Sequence, residues 1–116
     1  MEAIWKRKSV RKFEEKSVEP EKIRKLLHAG MSAPTACNQR EWEFVVVNER
    51  ELLMKLGENN PYAAPAGRAP LVIIPIINRN RVTHEAYCEQ DMGAVCENIL
   101  LEATKLGLGS VWLGIA

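Results

Sequence analysis

Apolar residues recur along the chain at a helical spacing in two long stretches. The first lies between about residues 18 and 31, and a longer stripe from about 84 to 105 predicts a long central helix. The first stripe consists of Ile23, Leu26, Leu27 and Met31. Shorter helices are expected over about residues 3–8 and 49–57.

Signals for a helix start and a helix stop flank the first stripe. Ser17 offers a hydroxyl cap, and Pro20 follows near the first helical position, where its missing N–H costs nothing. Gly30 and Pro34 are residues typical of a helix end. We therefore expect a helix that is capped by Ser17 and complete by about Met31.

Runs of β-branched and aromatic residues predict strands at 42–47, 71–77 and 110–115. The second run is almost wholly apolar, so both of its faces are expected to be buried. Pro75 cannot donate a ladder hydrogen bond and predicts a bulge or an unpaired position. Irregular connections between these elements favour an α+β domain over a doubly wound one.

Composition narrows the possible classes of function. The 116 residues make one domain, 1–116, and 47% are apolar, enough for one core. The net charge of +1 argues against a broad nucleic-acid surface. No run of about 18 apolar residues predicts a membrane span. An odd count of three cysteines without a CxxC pair predicts neither a disulfide framework nor a zinc site, so we expect reduced thiols in the cytoplasm.

One basic segment near the N-terminus could hold a small anion. Arg7, Ser9 and Arg11 alternate, so an extended chain would point two guanidinium groups and a hydroxyl to one side. A phosphate monoester binds to such forked and hydroxyl donors. The alternative is a solvated strand edge.

Two further segments have features of a ligand site. Small residues precede Asn38, whose amide offers a donor and an acceptor to a planar ring edge; the alternative is an ordinary turn. Gly107 and Gly109 follow a helix and enter a strand, the reverse of the dinucleotide-binding order, so they fit a helix end and a tight turn. Gly114 could let a ligand touch the backbone.

Taken in order, these motifs resemble the nitroreductase family over the whole chain. The similar stretches are Arg7-x-Ser9-x-Arg11-x-Phe13, then Ala33–Asn38 with Trp42–Val47, then Gln90–Ala94, Asn98–Ala103 and Leu106–Gly114. The resemblance implies a nitroreductase-like α+β fold, with a mostly antiparallel central sheet, flanking helices and a long central helix. It also implies a homodimer with FMN at the interface.

The resemblance also implies roles for particular residues. Arg7, Lys8, Ser9 and Arg11 match the positions that hold the FMN phosphate, ribityl chain and pyrimidine edge. The loop residues Pro34, Thr35, Ala36 and Asn38 match a loop that reaches the flavin from the partner subunit. Leu113 and Gly114 match a strand end near flavin N5.

Two departures from the family pattern stand out. Arg40 and Glu41 occupy positions where the family usually has Gln and Pro, so the polarity of the pocket near the ring is expected to change. The family's chain also continues past Ala116, and we expect a natural C-terminal portion to be missing. In the family that portion supplies a further basic phosphate contact and embraces the partner.

The implied activity is hydride transfer from NAD(P)H through flavin N5 to nitro, quinone or enone acceptors, with ping-pong kinetics. No side chain is needed as a nucleophile, so no catalytic residue and no metal are expected. The alternative is a flavin-binding protein without this turnover, either a sensor or a specialised relative. Asp91 is expected to be a solvent-facing acid or a structural partner, and Trp5 to fill the core or an interface.

Overall fold

The computed structural model describes residues 2–114, and within this range five helices and two strands follow one another. They are α1 (Glu2–Lys6), α2 (Pro20–Met31), β1 (Trp42–Val47), α3 (Arg50–Gly57), α4 (Ala64–Arg68), β2 (Val72–Ile77) and α5 (Cys88–Lys105). Short 3-10 turns cover Ala36–Asn38, Arg79–Arg81 and Glu85–Tyr87. The predicted α+β class is confirmed, as is a long helix, α5, which packs against α1, α2 and β2.

The starts of two helices differ from the sequence prediction. Helix α2 begins at Pro20 with Glu19 as its N-cap, so the predicted cap at Ser17 is wrong. Proline disfavours a helical conformation in the residue before it, and Glu19 accordingly has an extended backbone with φ −61° and ψ 142°. Helix α5 begins at Cys88, later than predicted, because the N–H of His84 is held outside the helix by a side-chain acceptor.

The two strands pair antiparallel in one continuous register, from Trp42 opposite Ile77 to Val47 opposite Val72. Hydrogen-bonded and non-hydrogen-bonded pairs alternate in such a ladder. The Asn78 N–H donates to the carbonyl one residue before Trp42, so Pro75 falls on a non-hydrogen-bonded pair. Of the two predicted alternatives, the bulge is therefore wrong, and proline sits where no ladder donor is needed.

The sheet is less buried than the sequence predicts. No residue of β2 is fully buried, and Ile76 remains 41% exposed, so the expectation that both faces are covered is wrong. Val45 and Val46 on β1 are also exposed. Within residues 2–114 this sheet has only two strands, and one helix, α5, is its main cover. Trp5 is 81% exposed and does not fill the core.

The core lies between α2, α5 and the sheet. Leu26 and Val95 are buried, and Gly30 allows close contact, because a Cβ there would lie 3.0 Å from Ile99 and 3.1 Å from Phe44. A second packed unit joins α3 to α4. The sequence analysis predicts no helix in the stretch that forms α4, which has five residues.

Candidate functional site

The basic segment, Arg7 to Phe13, lies beside the chain that follows α5. Ser9 forms a parallel bridge with Ser110, and the Val10 N–H donates to the Ser110 carbonyl at 2.9 Å. Gly109 makes this approach possible, since a Cβ there would lie 2.9 Å from Val10 Cγ1. Two of the three segments that were predicted to bind cofactor are thereby brought together.

Several polar groups of the basic segment have no partner. Arg7 is half-buried, and its Nε lies 3.9 Å from the carboxylate of Glu97 on α5. Lys8, Ser9 and Arg11 are exposed, and their side chains form no hydrogen bond or ion pair with any residue that the structure describes. Their donors are therefore free to bind an anion.

The predicted last strand is present only at its first residue. Ser110 makes the one backbone bridge, and up to Gly114 no regular strand follows. A strand needs a neighbour that supplies N–H and carbonyl groups along its length, and the basic segment does so at one point only. Leu113 is half-buried and Gly114 is exposed, its carbonyl 3.4 Å from Asn60 Nδ2. Ile115 lies outside the described residues.

Hydrogen bonds fix the Pro34–Asn38 loop at both ends. The Ala36 N–H donates to both carboxylate oxygens of Asp91, at 3.1 and 3.2 Å. At the other end, the Arg40 N–H donates to Thr35 Oγ1 at 3.0 Å. The loop is therefore anchored to the first turn of α5.

The same loop contains left-handed backbone at non-glycine residues. Cys37 has φ 49°, Asn38 φ 52° and Arg40 φ 46°. Such conformations cost on the order of 1 kcal/mol each and persist when the surrounding bonds enforce them. Pro34 and Asn38 are exposed, and the Asn38 amide bonds to no other described side chain or backbone group. That amide is free to bind a ligand.

Gln39 connects this loop to the residues before α5. Its Nε2 donates to Glu41 Oε2 at 2.8 Å and to Asp91 Oδ2 at 3.0 Å. Its Oε1 accepts from the N–H groups of Thr83 and His84, at 2.9 and 3.0 Å. These four bonds fix the orientation of the amide, because each end meets only the partners that its chemistry allows.

Two carboxyl groups in this network titrate differently. Burial, and then the hydrogen bond to Asp91, raises the pKa of Glu41, which is 0% exposed. Burial alone would raise the pKa of Asp91, but hydrogen bonds from Gln39, Glu41 and the Ala36 N–H together hold it below its ordinary value. A proton shared by the pair therefore resides on Glu41, and the charge on Asp91.

The network decides between the two alternatives for Asp91 and shows where Glu41 lies. Glu41 was expected to change a ligand pocket near the ring, but its side chain is fully buried beneath the loop. Asp91 is 7% exposed, so it is a structural partner and not a solvent-facing acid. Sequence reasoning missed Gln39 altogether, since a glutamine beside a loop carries no periodic signal.

The loop and the basic segment are not joined directly within residues 2–114. No hydrogen bond between described residues joins them. Two concavities of the described chain, about 410 and 320 Å³, include none of the predicted cofactor residues in their walls. The larger one is lined by Lys25, His28, Ala29, Ser32, Glu102, Lys105 and Leu106.

Residues 2–114 contain neither a helix that could span a membrane nor a cluster of side chains that could bind a metal ion. None of the helices there is both long and apolar enough to cross a membrane. No group of three or more histidine, cysteine, aspartate or glutamate side chains in the same range could hold a metal ion.

Comparison with known proteins gives consistent matches along the chain. A protein of Methanothermobacter thermautotrophicus, described as a candidate NADH dehydrogenase/NAD(P)H nitroreductase, is 41% identical over 115 residues. The match covers 99% of this chain but 60% of that relative, so the chain spans less than two thirds of its length.

Solved structures share the fold. A candidate NADH oxidase from Clostridium acetobutylicum superposes with a TM-score of 0.95 at 47% identity, covering 97% of this chain and 68% of that one. A candidate nitroreductase from Desulfovibrio desulfuricans, solved in complex with FMN, gives a TM-score of 0.89 at 31% identity, covering 98% and 67%.

The sequence profile of the nitroreductase family matches residues 4–61 and 57–116, which together include the basic segment, the Pro34–Asn38 loop and the chain that follows α5. The predicted nitroreductase-like fold is confirmed by the superpositions. The chain belongs to the nitroreductase family.

Proposed function

We propose that this protein binds FMN at the interface of a homodimer and uses it as an NAD(P)H-dependent oxidoreductase. The observation that carries the proposal is the bridge between Ser9 and Ser110. This bridge joins the basic segment to the chain leading to Leu113 and Gly114, two segments that the family resemblance assigns to one flavin. A similar protein from Desulfovibrio desulfuricans contains FMN.

The chemistry of the free donors fits the phosphate of FMN. A phosphate monoester carries about −1.5 to −2 charges near neutral pH and accepts several hydrogen bonds. Lys8, Ser9 and Arg11 are exposed, lie on one short segment and have no partner among the described side chains. Arg7 is the first residue of this segment, and its Nε lies 3.9 Å from Glu97 Oε1. This contact leaves the other guanidinium donors of Arg7 free.

The Pro34–Asn38 loop fits a planar ring edge. The free amide of Asn38 offers one donor and one acceptor, and the small side chain of Ala36 leaves the backbone accessible. Asp91 and Thr35 hold this loop in a fixed shape, which lowers the entropy lost when a ligand binds. Because no hydrogen bond between described residues joins the loop to the basic segment, we propose that the loop of one subunit completes the site of its partner, as the family resemblance implies.

When bound, FMN would supply the redox chemistry, accepting a hydride from NAD(P)H and passing it to a nitro, quinone or enone acceptor. The protein's residues bind and orient. Arg11 would place positive charge close to the pyrimidine edge and favour the negative charge of the reduced state. Leu113 and Gly114 would leave one ring face open, so donor and acceptor would occupy the same place in turn.

Titration with FMN tests the assignment of Arg11. A charge-assisted hydrogen bond contributes about 1.5–3 kcal/mol, so Arg11→Gln should weaken FMN binding by a factor of about 10 to 150. Lys12→Gln removes the same charge from the next, also exposed, position and is the matched control. The control should change affinity by less than about threefold. Equal losses in both variants would refute a specific role for Arg11.

Turnover separates the reductase from its alternative. The FMN-loaded protein should oxidise NADH or NADPH with menadione as acceptor and give parallel lines in double-reciprocal plots. Intersecting lines would indicate a ternary complex and exclude the ping-pong order. FMN binding without turnover would favour a sensor or a specialised relative.

A further inference from the structure

A cysteine and a histidine form a contact at the edge of the Pro34–Asn38 loop. Cys37 Sγ lies 3.4 Å from His84 Nε2, and both side chains are exposed. The other two cysteines differ, since Cys88 is buried and Cys96 half-buried. Burial raises the pKa of both of those thiols, which disfavours their reactive thiolate forms.

The hydrogen bonds around His84 allow a tautomer that suits a base. Gln39 Oε1 is an acceptor, since it receives the N–H groups of Thr83 and His84. When the Thr83 hydroxyl donates to Gln39 Oε1, 3.4 Å away, Thr83 Oγ1 is an acceptor for His84 Nδ1 at 2.8 Å. In that tautomer Nδ1 carries the proton, and Nε2 is the unprotonated nitrogen that faces the thiol.

The contacts from Cys37 to His84 and from His84 to Thr83 match the arrangement that activates a nucleophile. A thiol is within reach of a base, and the base is oriented by a third group. The left-handed backbone of Cys37, φ 49°, is enforced by its neighbours: the Asn38 N–H donates to the Thr35 carbonyl and the Gln39 N–H to the Ala36 carbonyl, both at 3.0 Å. The thiol is therefore presented to solvent by a fixed turn.

We propose that Cys37 is a reactive thiol that undergoes exchange with low-molecular-weight disulfides, with His84 as its base and Thr83 as the residue that positions the base. The thiol proton moves to His84 Nε2, and the Cys37 thiolate attacks one sulfur of the disulfide. A new S–S bond forms as the old one breaks, and the leaving thiolate takes the proton from His84. One disulfide and one protein thiol become one mixed disulfide and one free small thiol.

The exchange requires neither flavin nor nicotinamide. Because Cys37 lies in the loop that the proposed function places against the partner's flavin, the reaction is expected on protein without FMN. Exposure gives a small disulfide access to Cys37, whereas Cys88 has only 2% of its surface exposed. The reaction should therefore select one thiol of three.

Oxidised glutathione is the probe, incubated with the purified protein without FMN or NAD(P)H and followed by intact-mass and peptide mass spectrometry. One glutathionyl group should be added, on Cys37, and none should be added to Cys37→Ser. Loss of the base in His84→Gln should slow the reaction at pH 7 by about tenfold or more. His28→Gln, which alters an exposed histidine at the end of α2, is the control and should react at the wild-type rate.

The pH dependence separates a base from a residue that only shapes the loop. Near pH 10 nearly all exposed thiols are ionised without help, so the rates of wild type and His84→Gln should converge there. Thr83→Val should give a smaller loss with the same convergence, and provides the test if His84→Gln does not fold. An adduct on Cys88 in place of Cys37, equal rates at pH 7, or a rate gap that persists at pH 10 would overturn the proposal.

Discussion

The anchor between Asp91 and the Pro34–Asn38 loop gives a stability prediction that can be worked from the structure. Asp91→Asn keeps the size of the side chain but replaces one acceptor oxygen by an NH₂ donor. Besides the proton of Glu41, two N–H donors meet the carboxylate: the Ala36 N–H, at 3.1 and 3.2 Å, and Gln39 Nε2, at 3.0 Å. An asparagine oxygen at the Oδ2 position can still accept from both donors, at 3.2 and 3.0 Å, but it is neutral. The NH₂ group that replaces Oδ1 then faces the Ala36 N–H at 3.1 Å in a site that is only 7% exposed.

The expected cost follows from the loss of charge. A hydrogen bond to a charged group contributes about 1.5–3 kcal/mol and one to a neutral group about 0.5–1.5 kcal/mol, so both retained bonds weaken when the acceptor loses its charge. We therefore expect Asp91→Asn to lower the free energy of unfolding by about 1–3 kcal/mol. Both Asp91 and Glu89 lie in the first turn of α5, so removing either charge also weakens the interaction with the helix dipole, by about 0.3–1 kcal/mol.

Urea unfolding followed by tryptophan fluorescence at pH 7 measures the effect. Glu89→Gln is the matched control, because Glu89 is exposed and makes no side-chain hydrogen bond within residues 2–114. It isolates the helix-dipole contribution, and it should cost about 1 kcal/mol or less. If Asp91→Asn costs no more than Glu89→Gln, the anchor does not stabilise the fold and our account of the loop is wrong.

The remaining predictions concern pH and three glycines. Burial and its bond to Asp91 raise the pKa of Glu41 above its ordinary 4.5, so its stabilising contribution is full below that value and is lost as pH rises. In urea unfolding, the free energy of unfolding of Glu41→Gln should therefore rise relative to that of wild type as the pH is raised from 4.5 to 8. A difference between the two proteins that stays constant with pH would contradict this. In thermal unfolding, Gly30→Ala should cost about 1–3 kcal/mol through crowding, while Gly93→Ala, whose nearest atom is 3.7 Å away, should be neutral or stabilising by up to about 1 kcal/mol. Gly109→Ala should weaken FMN binding in a titration, and adding Val10→Ala should restore it if the 2.9 Å contact is the cause.

The sequence predicted the elements whose signal is local and periodic. The stripes of α2 and α5 and the β-branched runs of β1 and β2 were located to within a few residues. Pro20 sets the start of α2, so Glu19 and not Ser17 is its N-cap. The helix α4 is too short to show a helical period of apolar residues in the sequence.

The site was only partly accessible from sequence. The ordered motifs predict which segments bind a cofactor, and the bridge between Ser9 and Ser110 shows that two of these segments are neighbours. The network of Gln39, Glu41 and Asp91 depends on contacts between residues up to 52 positions apart, which no spacing rule reveals. From the sequence alone, Glu41 is expected at the surface, because glutamate is almost never fully buried unless it is paired.

The most direct test of the proposed function is the visible absorbance spectrum of the purified, FMN-loaded protein before and after anaerobic addition of NADH or NADPH. We predict flavin bands that remain with the protein on gel filtration and bleach when one of the two donors is added. Bands that persist with both donors would contradict the reductase and leave a flavin-binding protein. Protein that retains no FMN would contradict the central claim itself.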